Sequence, residues 1–157
     1  MEKDLPRCRA TGIGSTPHTD AVRAVDFVVE TFRDVPFWPQ LPRRSFRENM
    51  YVQFAARLPG VRILEAEERV WIERDEDWTE EAERFYADFL EEDPLRFGVE
   101  AEQAAGLHTL LRRGLPRETW AVKGQVTGPV SFGLQVTDPE MRPSFYDDLV
   151  RDLIVKN

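Results

Sequence analysis

The sequence predicts an α/β protein with a largely parallel sheet. Short apolar runs alternate with longer amphipathic ones, as in βαβ units. The first run ends on glycine and leads directly into a helix. A later run, residues 119–126, does the same through Thr127-Gly128-Pro129.

The elements follow in order. Residues 9–13 read as a short strand ending at Gly14-Ser15, and Thr19 is the expected cap of the next helix. Ala21, Val22, Ala24, Val25, Val28, Val29 and Phe32 then recur at helical spacing. Residues 35–38 read as a second strand, bounded by Pro36 and Pro39. Ser45 and Glu48 form a capping-box pattern ahead of a stripe of Met50, Tyr51, Phe54, Ala55 and Leu58, which Gly60 closes.

Residues 61–64 and 70–72 read as a hairpin insertion. A helix runs from Asp77 or Thr79 to about Leu90, with Phe85, Phe89 and Leu90 inward, and Pro94 breaks it. Residues 99–113 read as a further helix ending at Gly114, with His108 structural inside its stripe. After the strand at 119–126, a short helix covers 130–135. Residues 144–156 place Phe145, Leu149, Val150, Leu153 and Ile154 on one face.

Composition narrows the function classes. The 157 residues suit one ordinary domain by the prior of roughly 100–200 residues per domain. We find no internal repeat and no linker. With 21 basic and 29 acidic residues the net charge is −8, which argues against a nucleic-acid partner, because phosphate backbones demand a basic face. The acid-rich stretch between Glu65 and Glu92 reads as a solvated face. No run approaches the roughly 18 apolar residues of a membrane span, and the Met1–Pro6 start has no apolar signal core. A cytoplasmic protein with no membrane partner is expected. The single cysteine, Cys8, makes neither an internal disulfide nor, alone, a zinc site, and the two histidines lie far apart.

Three segments carry candidate chemistry. In Gly12-Ile13-Gly14-Ser15-Thr16-Pro17-His18, glycines after a strand admit close backbone approach, and the amides of the following helix start suit a carboxylate. The dinucleotide fingerprint fails because position 17 is Pro, and the segment reads equally as a tight turn without ligand. His18 is an acid/base candidate or a cap. In Phe37-Trp38-Pro39-Gln40-Leu41-Pro42-Arg43-Arg44, aromatics and arginines suit the wall of a pocket for an acidic substrate, or a rigid connection. In Lys123-Gly124-Gln125, Lys123 and Gln125 share a face of an extended chain, either toward an active site or as a satisfied polar pair. No Gly-x-Ser-x-Gly nucleophile elbow is present.

Taken in this order, the segments resemble the cobalamin-independent methionine synthases and their single-barrel relatives, a family grouped with uroporphyrinogen decarboxylase. Gly12-Ile13-Gly14-Ser15-Thr16-Pro17-His18-Thr19 resembles the family's first-strand motif. Val122-Lys123-Gly124-Gln125-Val126-Thr127-Gly128-Pro129-Val130-Ser131 is similar to its Lys-Gly-x-hydrophobic-Thr-Gly-Pro-Val-Thr motif, with Ser131 replacing Thr. Pro36 to Pro42 with Ser45-Phe46-x-Glu48-Asn49-Met50-Tyr51 resembles a block of single-barrel members. The resemblance spans about residues 11–155.

It implies a (β/α)₈ TIM barrel with ligands at the carboxyl ends of the strands, and methyl transfer to a thiol such as homocysteine, a step of methionine biosynthesis. It also implies a zinc ion holding the thiolate. Ile13, Gly14 and Ser15 take the role of binding the amino-acid part of the substrate. His18, Trp38, Gln40, Lys123 and Gln125 are expected to line the cavity. The family's zinc ligands, a His-x-Cys pair with further Glu and Cys, lie in the second half of the barrel and have no counterpart here. Because such a barrel takes about 250 residues, the expectation is its amino-terminal portion. That is one domain of four or five strand–helix units with a small β insertion, holding no metal itself. The methyl donor, a folate or a corrinoid protein, is not specified. Two alternatives accompany this reading. One is a decarboxylase of the same superfamily that uses Arg43 and Arg44 on an acidic tetrapyrrole. The other is a non-catalytic half-barrel that self-associates through exposed barrel edges.

Overall fold

A computed structural model describes residues 8–92 and 94–157; the Met1–Pro6 start, expected not to be a signal segment, lies outside the described residues. The chain is mixed α/β, and its contacts gather into two units. Residues up to 48 together with 101–125 form the first, and residues 49–100 with 126–157 the second. Among the described residues no helix is long and apolar enough to cross a membrane.

The first unit holds helices α1 (Ala21–Thr31) and α4 (Ala105–Arg113), packed on each other. In α1 the buried stripe is Ala24, Val25, Val28 and Val29. Asp20, not Thr19, caps it, because the Asp20 Oδ1 atom accepts from the Arg23 amide at 2.8 Å. Val22, expected in the stripe, faces out.

Three extended segments accompany these helices. Ser15 pairs in parallel with Gln40, and Phe37 pairs in parallel with Lys123. The predicted strands are therefore present as single bridges rather than ladders, and the first pairing falls at Ser15, beyond the predicted 9–13. Proline explains part of this: Pro36 and Pro39 bring no amide donor to the central segment.

Helix α4 begins six residues later than the predicted 99–113. The Glu48 carboxylate lies at its start, facing the Ala105 amide. Gly106 lets the helix sit directly on the 36–41 segment, since a Cβ there would lie 1.9 Å from the Pro39 carbonyl oxygen. Gly114 ends the helix, as predicted. The expected capping box also fails: Ser45 Oγ accepts from the Arg47 amide at 3.1 Å, while Glu48 turns inward.

The predicted helix after Ser45 is reduced to a 3-10 turn at Phe46–Glu48 and, in the second unit, to α2 (Val52–Ala55). Asn49 Oδ1 accepts from the Tyr51 amide at 3.0 Å, a local bond that competes with helix continuation. The expected hairpin is formed by β1 (Val61–Leu64) and β2 (Arg69–Ile72), antiparallel, with Val61 opposite Ile72. Trp71 of β2 bridges in parallel to Thr137.

Helices α3 (Trp78–Leu90), α5 (Pro129–Gln135) and α6 (Asp148–Lys156) complete the unit. Ala55, Leu58, Ile72, Phe85, Phe132, Val136, Val150, Leu153 and Ile154 form its core. Phe89 and Leu90, expected inward, are exposed. Leu90 lies five residues past Phe85, about 140° round the helix, and so cannot share its face.

Candidate functional site

The ends of the three extended segments in the first unit assemble one polar cluster. The central segment is gripped by the first: Gln40 N donates to the Gly14 carbonyl at 2.9 Å, and Thr16 N donates to the Gln40 carbonyl at 2.9 Å. On its other side, Lys123 N donates to the Pro36 carbonyl at 2.9 Å. The next rung of a parallel ladder would bring the Gln125 amide to the Trp38 carbonyl. Instead the Gln125 side chain supplies that bond, Nε2 to O at 2.8 Å. A side chain thus replaces backbone pairing where the segments end.

Gly14 lies between two glutamines. A Cβ on it would stand 2.6 Å from both Gln125 Nε2 and Gln40 Oε1. Only glycine lets both amides close on the backbone here. Gln40 is 5% exposed, whereas Ser15 is exposed and Gln125 half-buried.

Lys123 supplies the charge. Its Nζ donates to the Ile13 carbonyl at 2.6 Å and to Gln125 Oε1 at 3.4 Å. Among the described residues no carboxylate pairs with it, in a chain of net charge −8. Lys156, by contrast, is ion-paired with Asp152. An ammonium has three donors, so one N–H of Lys123 remains for a ligand.

Of the residues singled out in the sequence, Ile13 (through its carbonyl), Gly14, Ser15, Gln40, Lys123 and Gln125 come together. The Ile13 side chain is 88% exposed and contributes no wall. Trp38 joins through its carbonyl. Its indole Nε1 lies 3.9 Å from where a Cβ on Gly124 would be, and Gly124 faces away from its neighbours Lys123 and Gln125 in an extended chain. His18 packs its ring on Phe27 of α1, with centroids 5.4 Å apart, and its Nδ1 is buried without a hydrogen bond.

Glu48 was missed as a part of this site. It is 1% exposed. Its Oε2 accepts from Leu41 N at 3.1 Å and its Oε1 from Arg44 Nη1 at 2.8 Å. Burial pushes its pKa above the usual glutamate value, while Arg44 and the Leu41 and Ala105 amides pull the other way without cancelling it. The Arg44–Glu48 spacing of i, i+4 was the available signal, but it reads equally as an exposed helical pair.

Two of the clefts in the second unit are lined by arginines. One, of about 380 Å³, is walled by Arg57, Arg62, Arg84 and Arg96. The other, of about 650 Å³, is walled by Arg74 and Arg142 among acids. Each of these arginines already pairs with a carboxylate, so neither cleft presents uncompensated positive charge.

A zinc site is not supported by the donor set. Among the described residues no group of three or more His, Cys, Asp or Glu is placed to hold a metal ion, and Cys8 is exposed. The site is that of a small α/β unit with a cationic, amide-lined cluster at the ends of parallel segments. Compared with protein-family models, curated proteins and solved structures, the chain finds no match in any of the three.

Proposed function

We propose that the chain is part of a methyl-transfer barrel of the cobalamin-independent methionine synthase type, and that the strand-end cluster holds the amino-acid end of a thiol substrate such as homocysteine. The observation that carries this reading is the meeting of Gly14, Gln40, Lys123 and Gln125, which come from the three segments that bear the family resemblance. Lys123 is the group suited to the substrate carboxylate, as a cation whose present partners are neutral oxygens. Ser15 and the glutamine amides are suited to orient that carboxylate and the adjacent ammonium by hydrogen bonds.

The resemblance implies a zinc ion to hold the thiolate, but the donor set among the described residues does not fit one. The role proposed for this chain is to bind and orient the substrate. The decarboxylase reading is weaker because Arg44, one of its two carboxylate binders, is committed to Glu48.

L-Methionine, which carries the same amino-acid group and needs no metal, tests the reading by calorimetric titration. Lys123→Gln is expected to weaken binding roughly tenfold or more, the usual loss when a charge-assisted hydrogen bond is removed. Equal affinity in the variant would sink the proposal.

A further inference from the structure

We infer that Glu48 is the positioning residue of the strand-end site: its buried carboxylate fixes the Gln40–Leu41 peptide and so sets the glutamine wall against Gly14. The inference rests on the reading of that cluster as a ligand site.

The Gln40–Leu41 peptide is held at both ends. Its carbonyl accepts from Thr16 N at 2.9 Å, and its N–H donates to Glu48 Oε2 at 3.1 Å. Gln40 N is occupied as well, donating to the Gly14 carbonyl. With both peptides flanking its Cα pinned, the direction in which the Gln40 side chain leaves the backbone is determined. That side chain forms half of the cradle around Gly14.

Glu48 also reaches beyond the segment. The same carboxylate accepts from the Arg44 guanidinium and faces the amide of Ala105, the first residue of α4. Gly106 of that helix abuts the Pro39 carbonyl. One buried acid therefore joins the end of the central segment, the turn after it and the start of the helix that backs it. Leu41, which is fully buried, seals the same corner. Glu48 touches none of the groups proposed to meet substrate, so it acts through Gln40.

Glu48→Gln keeps the volume and removes the charge, and Glu48→Ala removes the oxygens. Amide hydrogen exchange and L-methionine titration are read together on the full chain. In Glu48→Gln, exchange at Leu41, Gln40 and Thr16 is expected to rise about tenfold. Val28 and Val29 of α1 should keep their wild-type rates, and L-methionine binding should weaken several-fold. A purely structural role would instead speed exchange throughout the unit and leave the affinity of the folded protein unchanged. That result, or an unchanged Leu41 amide, overturns the inference. If Glu48→Ala fails to fold, the Gln variant still decides. If wild-type protein binds no L-methionine while Leu41, Gln40 and Thr16 loosen in Glu48→Gln, the ligand reading fails and the positioning of the segment by Glu48 stands.

Discussion

The Tyr86 hydroxyl donates to Asp152 Oδ2 at 2.7 Å, joining α3 to α6 in the second unit. The neighbouring carboxylate, more than partial burial, pushes the Tyr86 pKa up to about 12. A raised value means that the folded state favours the protonated phenol. The stability held in this bond is complete below the ordinary tyrosine value near 10 and is lost as pH rises through about 12. Spectrophotometric titration of the three tyrosines should show one late step, absent in Tyr86→Phe. Three coincident steps would contradict the bond.

Asp152 and Glu48 should tilt acid stability in opposite directions. Asp152 is held below the usual aspartate value, chiefly by Lys156 and then by Tyr86. Its contribution is present above the ordinary value and is lost as pH falls through the lowered one. Glu48 is raised by burial, so its contribution is present below the ordinary glutamate value and is lost as pH rises through the raised one. Urea midpoints across the acid range should fall less steeply with acid in Asp152→Asn than in the wild type. Glu48→Gln should remove a loss that occurs on neutralisation. Slopes of the same sign would contradict one of the two assignments.

Gly106→Ala should destabilise by about 1–3 kcal/mol or more, because the new methyl meets backbone rather than a yielding side chain. Gly124→Ala is the control, since its Cβ would be 3.9 Å from the nearest atom, Trp38 Nε1. Thermal melts of the two variants check this. Equal melts would mean that α4 does not sit on Pro39 as described.

Much of the local structure was legible because it follows from periodicity. The stripe of α1, the hairpin of β1 and β2, the short α5 and most of the face of α6 each repeat an apolar pattern that one backbone geometry satisfies, although Leu149, expected on that last face, is exposed. The strands were less legible. Pro36 and Pro39 mark an extended segment but also limit its pairing, and the bond from the Gln125 side chain to Trp38 replaces a rung that no pattern predicts. Candidate residues at strand ends could be named from their chemistry. Glu48 could not, because the groups it meets include the Leu41 amide and, 57 positions away in the sequence, the Ala105 amide that it faces, and both are backbone.

The most direct test of the proposed site compares L-methionine with methylthiopropylamine, the same molecule without its carboxyl group, by titration followed in backbone amide resonances. If Lys123 receives a substrate carboxylate, L-methionine binds at least about tenfold more tightly and shifts the amides of Gly14, Ser15, Gly124 and Gln125, while the amine leaves them in place. Equal binding of the two, or shifts confined to the second unit, would contradict the assignment of the strand-end cluster as an amino-acid site.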